Sequence, residues 1–495
     1  MLLSTKMLRL ALLTLALAGC TEKYLDESPR DQVTEANFYK TETDAIQATT
    51  AIYGVLTQGG LYNSALWGVG EVMSDNSDLG GGGGGDGAEY VQLDNFTIPT
   101  TNVLLSKLWT GCYVGIGRAN LVLDKVPGIA GMNSATQARC LGEARFMRAL
   151  YYFHLVRTFG DVPLITVPPR NLAEVNIART TADQVYTQIE TDLVAAAAAL
   201  PQTMSGSDLG RATKGAALGL LAKVYLTRGK LPEAAQQARA VLALGQYQLW
   251  PSYADNFKVA NENGQESLFE VQFKSGVTPW TENGLGFQGN EYFGPRGQNL
   301  TPNGGYGFNI PTRDLVLGYN AADTRLATSI WKPGDQLGTY MQPNSLPGSP
   351  NGYNCRKWFV GKTDNCCHDS PLNFSVLRLS EIYLILAEAV GPTAEGFEAV
   401  NKVRRRAFGL AISTPSANRD LDPTLGAADF KTAVIRERRY ELAFENDRWF
   451  DLKRTGLLLT TMRAAGKNIQ PFNVLMPIPQ SERDINPNLS QNPGY

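Results

Sequence analysis

Glu437, Glu441 and Glu445 stand four residues apart in the run Ile435-Arg436-Glu437-Arg438-Arg439-Tyr440-Glu441-Leu442-Ala443-Phe444-Glu445, so a helix there places three carboxylates on one face. A glycosidase can be built from two such acids, one a proton donor and the other a nucleophile or base. The donor must keep its proton near neutral pH, which requires burial or a like charge nearby. Between Arg436 and Arg454, however, six basic residues accompany five acidic ones. Arg438, Arg439 and Arg448 can grip carboxylates through paired hydrogen bonds. The segment therefore predicts a salt-bridge network in which every acid stays ionised and no catalytic proton donor remains.

Histidine usage points the same way. Only His154 and His368 occur, which excludes zinc sites built from several imidazoles and leaves a Ser–His–Asp arrangement at most two bases. His154 lies among Phe153, Leu155 and Val156 and reads as a packed core residue. Six cysteines in 495 residues cannot build a disulfide scaffold. Cys355, Cys366 and Cys367 cluster, leaving a bridge from Cys355 to either neighbour open, whereas the consecutive residues 366–368 converge poorly on a zinc tetrahedron. Cys112 and Cys140 fall in helical patterns, as core thiols or a second bridge. Gly80 to Gly85 lacks the Gly-Lys-Ser/Thr ending of a phosphate loop, and Asp86 and Glu89 would repel phosphate. A flexible surface loop is expected there. Asp75, Asp78 and Asp86 offer hard oxygens to calcium, the one cofactor that the composition leaves open. With 45 Lys and Arg against 47 Asp and Glu, nothing draws the chain to nucleic acid, and Lys402 to Arg406 is expected to be a solvated helix face.

Helices must position these groups. Ala45, Ala48, Ile52 and Val55 recur at spacings of three and four within a helix over about 43–56, and two long helices are expected over 103–126 and 136–159. Leu218, Leu221, Ala222, Tyr225, Gly229, Ala234 and Ala238 follow tetratricopeptide spacing over 212–246. A weaker copy over 380–405 has Tyr383, Ala387, Gly391, Gly396 and Val400 at matching offsets. One such pair cannot bury its apolar face alone, so diverged partners are expected among the helices at 103–159. From 247 to 375 helical periodicity gives way to glycine, asparagine, proline and aromatics. Phe269, Val271 and Phe273 alternate there as a strand does, and the segment reads as a loop-rich subdomain with short β-strands. The fold expected is mostly α: a scaffold of tetratricopeptide-like helix pairs with that subdomain embedded.

The N-terminus sets the compartment. Lys6 and Arg9 precede an apolar run, Leu10 to Ala18, too short to span a bilayer and suited to a secretory signal. Leu17-Ala18-Gly19-Cys20 resembles a lipobox, which makes Cys20 the lipid-bearing first residue of the mature chain. Attached acyl chains add about 0.8 kcal/mol per buried methylene, enough together for a stable anchor.

Three motifs mark the C-terminal third: Leu377-Arg378-Leu379-Ser380-Glu381-Ile382-Tyr383-Leu384 with Ala387-Glu388-Ala389, then Asn401-Lys402-Val403-Arg404-Arg405-Arg406-Ala407, and most specifically residues 435–445 with Arg448-Trp449-Phe450-Asp451-Leu452. Together they resemble signatures of the SusD/RagB outer-membrane nutrient-binding lipoproteins. Pro477-Ile478-Pro479, Gln491-Asn492-Pro493-Gly494-Tyr495, Gly142-Glu143-Ala144-Arg145-Phe146 and Phe159-Gly160-Asp161-Val162-Pro163 are similar too, whereas Asn446-Asp447 stand where that family more often has glycine and histidine. The resemblance implies five parts: signal peptide 1–19, lipid-anchored tether 20–42, N-terminal helical region 43–246, ligand-binding subdomain 247–375 and C-terminal helical region 376–495. It also implies a non-enzymatic, lipid-anchored protein at the outer membrane, facing the cell surface, that binds an oligosaccharide or other nutrient and passes it to a SusC-like TonB-dependent transporter. A surface glycoside hydrolase and a helical-repeat scaffold without a small-molecule ligand are the alternatives.

Sugars present apolar ring faces and many hydroxyls, so a site for them needs exposed aromatics beside carboxylates, amides or arginine. One candidate group is Asp75, Asn76, Asp78, Tyr90 and Phe96, with Asn95. The other is Trp280, Phe287, Tyr292, Arg296 and Tyr306, with Asn283, and Trp331 beyond it.

Overall fold

The computed structural model describes residues 38–82, 85–277, 284–302, 304–363 and 368–495. Cys20, Trp280, Asn283, Cys366 and Cys367 lie outside them. Side-chain caps start most of the long helices. Thr41 and Asp44 form a reciprocal capping box ahead of α1 (Glu42–Tyr53). Asn102 and Asn133 accept from the first free amides of α2 (Val103–Lys125) and α3 (Ser134–Phe159). After α4 (Ala182–Ala199), Thr213 caps α5 (Lys214–Thr227), which turns into α6 (Leu231–Ala243). The second pair is α7 (Leu379–Val390) and α8 (Ala394–Ala407), followed by α9 (Ala427–Glu441) and α10 (Arg448–Arg454).

From α2 to α8 each helix packs on the next, so the two tetratricopeptide-like pairs are parts of one continuous stack. The diverged partners are α2 and α3, as expected, together with α4, which buries Val185, Ile189, Leu193, Ala196 and Ala197. Small residues let the layers close. A Cβ added at Gly115 of α2 would sit 2.2 Å from the Tyr151 ring of α3. His154 is buried in that core, within hydrogen-bond reach of Tyr62 Oη at 3.0 Å and Arg157 Nη2 at 3.2 Å. Burial first, then the charges of Arg157 and Lys223, holds it well below the usual imidazole range. Cys112, Cys140 and Cys355 are buried free thiols, which answers the open bridge at Cys112 and Cys140.

Four two-stranded antiparallel sheets complete the fold among the described residues. β1 (Ser77–Gly80) pairs with β3 (Phe308–Pro311), and β2 (Ser267–Val271) with β4 (Phe374–Arg378), which leads directly into α7. The start of the glycine run is thus ordered packing and not a free loop. Gly80, at φ +76°, lies where a Cβ would meet the Gly307 carbonyl oxygen at 2.2 Å, and a Cβ on Gly348 would come within 2.0 Å of the Gly81 oxygen. Glycine is required because two backbones touch there. Gly348→Ala should therefore destabilise the protein by about 1–3 kcal/mol, read as a lowered urea midpoint with an unchanged slope.

Glu437 and Glu441 lie on α9, but the helix ends at Glu441, so Glu445 follows in a turn and does not share their helical face; the three carboxylates are still threaded by arginines, as the composition predicted. Glu441 accepts from Arg406 Nη2 at 2.5 Å and Arg325 Nη1 at 3.0 Å and also contacts Arg378. Arg378 grips Glu445 through two bonds of 2.8 Å, and Lys357 meets the same carboxylate at 2.8 Å. Burial alone would raise Glu441, but the guanidinium groups of Arg406, Arg378 and Arg325 outweigh it and hold the carboxyl well below its usual range. Contrary to the solvated face expected for Lys402 to Arg406, Arg405 and Arg406 are both buried, Arg405 against Asp420 and Glu398 and Arg406 against Glu266 and Glu441. The departure at Asn446 also has a local reason. Its φ is +66°, a conformation that favours glycine and that asparagine tolerates.

One acid differs from the rest. Glu71, in a π-helical turn at Gly68–Val72, is fully buried, with the Asn446 amide at 2.9 Å, Asn76 Nδ2 at 3.4 Å and the Phe444 backbone beside its carboxylate and no ion pair among the described residues. Burial pushes its carboxyl up to about 8. Its folded value lies above its unfolded one, so its contribution is complete below about pH 4.5 and is lost as pH rises through about 8. Between about pH 6 and about pH 7.5 this should remove about 2 kcal/mol of stability, and Glu71→Gln should lessen the pH dependence by that amount in unfolding titrations at the two pH values.

Candidate functional site

The second of the two residue groups supplies the most coherent exposed chemistry. A short helical turn, Gly289–Tyr292, presents Tyr292, and the chain returns through Tyr306 into β3. The Tyr306 amide donates to the Glu291 carbonyl at 2.9 Å, and the Gly307 amide donates to the Gly294 carbonyl at 2.9 Å, which fixes the spacing of the two tyrosines. Their rings meet edge-on with centroids 5.4 Å apart. His368, from near the end of the same subdomain, packs edge-on against both, at 4.8 Å from Tyr292 and 5.5 Å from Tyr306. Beneath lies a buried floor of Trp67, Tyr90 and Phe308, in which Trp67 and Tyr90 stack at 4.1 Å.

The polar rim is built from the glycine-rich turn. Arg296 Nη1 donates to the Tyr306 carbonyl at 2.7 Å and pairs with Asp86 at 2.6 Å, and Asp86 also accepts from the Gly82 amide at 2.9 Å. Arg296 and Asp86 are both partly exposed. Neither tyrosine hydroxyl has a hydrogen-bond partner among the described side chains or backbone. Burial first, then the other tyrosine and neighbouring acids, pushes Tyr292 up to about 12, and burial raises Tyr306 as well, so both stay protonated donors. Burial holds His368 down to about 4, and its ring is neutral near pH 7. The face therefore offers half-exposed aromatic rings, two hydroxyl donors, an imidazole and an ion-paired guanidinium. It suits an uncharged, hydroxyl-rich ligand with apolar faces.

The other candidates serve the architecture. Asp75 is gripped by Arg448 at 2.7 and 2.9 Å and by Arg439 at 3.1 Å, and Asn76 accepts from Arg439 Nε at 2.9 Å. Asp78 pairs with Lys467 at 2.7 Å. Since Asp75, Asp78 and Asp86 each face a cation of their own, their oxygens are not grouped for calcium, and no cluster of three or more His, Cys, Asp or Glu fit for a metal occurs among the described residues. Tyr90 is floor, its hydroxyl 2.6 Å from Ser64 Oγ. Asn95 is exposed, while Phe96 is buried against Trp449 at a centroid distance of 5.8 Å. Phe287 is buried among Phe273, Trp358 and Phe374. Trp331 is fully buried under the Arg356 guanidinium, 4.1 Å above its ring. Sequence reasoning joined Tyr292, Arg296 and Tyr306 but missed Asp86 and His368 as their neighbours. By sequence alone Asp86 bears on calcium or phosphate and His368 on zinc or a catalytic base, and nothing local ties either to the tyrosines.

Comparison with known proteins is consistent along the whole length. Residues 23–226 match a SusD-like family described as "Starch-binding associating with outer membrane", and residues 265–495 match the SusD family. A SusD-like protein of Bacteroides ovatus is 30% identical over 91% of this chain and 82% of its own, and SusD-like protein P2 of Formosa agariphila is 29% identical over 98% of each. The solved structure of a laminarin binding SusD-like protein superposes with a TM-score of 0.79 at 31% identity, covering 92% of this chain and 100% of that one.

Proposed function

The chain belongs to the SusD family, and on that premise we propose that it captures a neutral oligosaccharide at the cell surface and passes it to a SusC-like TonB-dependent transporter. The mature chain hangs from the outer membrane by lipid on Cys20. No helix among the described residues is long and apolar enough to cross a membrane, in keeping with such an anchor. The protein is a binding protein and not an enzyme. The α9 acids agree with that, since arginines keep Glu441 ionised and a glycosidase needs a protonated acid.

The observation that carries the reading is the Tyr292–Tyr306–His368 face with its Arg296–Asp86 rim. Sugar rings lie on tyrosine faces while their hydroxyls accept from the two phenols and pair with the rim. The laminarin binding relative makes a β-glucan the first ligand to try. Calorimetric titration of the purified protein with laminarin and a panel of soluble glycans should find one that binds, without release of reducing ends. A panel in which no glycan binds at millimolar concentration would sink the proposal. Loss of glycan uptake in a deletion strain, together with co-purification of an outer-membrane barrel, tests the transporter half.

A further inference from the structure

A cavity of about 550 Å³ opens where the end of α3, the start of α4 and α10 meet, and none of the tyrosine-face residues line it. Its size is that of a small-molecule site. Its charge is one-sided, with Arg157, Arg179, Lys453 and Arg454 against a single carboxylate, Asp161. Arg454 is neutralised by Glu388 and Asp451, and Arg157 by Asp447 at 3.3 Å. Lys453 and Arg179 have no ion pair among the described residues. Lys453 Nζ donates to the Arg157 carbonyl at 2.6 Å, and Arg179 reaches only the carbonyls of Phe159, Asp161 and Ser490 and the amide oxygen of Asn492. Asp161 is occupied as a cap, accepting from the Ala182 amide at 2.8 Å. The buried Arg157 Nε has no hydrogen-bond partner either, and its guanidinium is clamped between the Phe153 and Phe450 rings at 4.0 Å from each.

A largely buried ammonium without a counter-ion is expensive, and a cavity that holds one is short of an anion. Tyr186, Phe450, Leu475 and Pro493 give the cavity an apolar wall. Asp161 disfavours a dianion and the wall disfavours a bare inorganic ion. We propose that this cavity binds a small organic monocarboxylate with an apolar body, its carboxylate meeting Lys453 and its body lying on Tyr186, Phe450 and Leu475. The proposal is independent of the glycan reading.

Burial first, then Arg157, pushes Lys453 down to about 7, which adds a pH signature. The other charged or titratable groups that face it are Arg157, Asp161, Arg179, Tyr186 and Arg454. Phenylacetate and its neutral counterpart phenylacetamide, titrated into the whole protein at about 10 mM and below, decide the matter. Phenylacetate should bind and raise the unfolding temperature, more at about pH 6 than at about pH 8.5, and the amide should not. Lys453→Met should weaken phenylacetate binding about tenfold or more, while Lys453→Arg retains it and glycan binding is untouched in both. Equal binding of acid and amide, no binding of the acid, or wild-type affinity in Lys453→Met would overturn the assignment. The acid–amide and pH comparisons need only the wild-type protein, so they stand even if a variant fails to fold.

Discussion

Replacing Glu441 with glutamine should cost the fold about 3–5 kcal/mol, the range for removing one partner of a buried ion pair. Glutamine keeps the volume and one acceptor oxygen. What it removes is the charge facing Arg406, Arg378 and Arg325, all three of them buried. Each guanidinium keeps a second carboxylate, Glu266 for Arg406, Glu445 for Arg378 and Asp323 for Arg325, but three buried cations then share one negative charge fewer, with no water to screen them. Equilibrium urea unfolding measures the loss, and a midpoint within error of the wild type would show that the network contributes little. The acid side gives a second readout. Because the folded carboxyl lies below its unfolded value, its contribution is present above about pH 4.5 and fades as pH falls further. Glu441→Gln should therefore differ most from the wild type near neutrality and converge on it in acid.

The second large effect is expected in binding. Tyr306→Ala removes a ring face and a hydroxyl donor from the proposed ligand surface and should weaken the best glycan about tenfold or more, while the Tyr292→Ala, Tyr306→Ala double variant should lose measurable binding. Tyr306→Phe separates the two contributions. It retains the ring and should lose only about 1 kcal/mol, the worth of one hydrogen bond. Trp331→Ala is the contrasting control, since a fully buried indole under Arg356 should affect stability by about 3–5 kcal/mol and leave the affinity of the folded fraction alone. If Tyr306→Ala binds like the wild type, the ligand lies elsewhere.

The scaffold was legible wherever the signal is periodic. Leu218 to Ala238 and Tyr383 to Val400 repeat at intervals that only paired helices satisfy, and the balanced charges around α9 announced their own pairing. What failed was inference about partners distant along the chain. Asp75 and Asn76 look like exposed polar loop residues until Arg439 and Arg448 arrive from the far end of the sequence. Arg405 and Arg406 look like a basic surface run because Asp420, Glu266 and Glu441 are not adjacent to them in sequence. The site suffered in the same way. Tyr292 and Tyr306 share one segment and were grouped, but Asp86 and His368 reach them from separate loops, and no local pattern links the three. Trp331 misled because an aromatic in a glycine-rich stretch reads alike whether it faces solvent or packs under its own loop.

Several ion pairs also join residues that lie far apart along the chain. Arg448 closes on Asp75, Glu445 on Lys357, and Lys467 on Asp78 and Asp94. In each case the late-synthesised partner neutralises a charge that emerged long before it. A nascent chain that stops short of residue 440 carries those early charges unmatched and cannot close its core around them. The core is therefore completed only when the C-terminal residues that carry Arg448, Glu445 and Lys467 are in place.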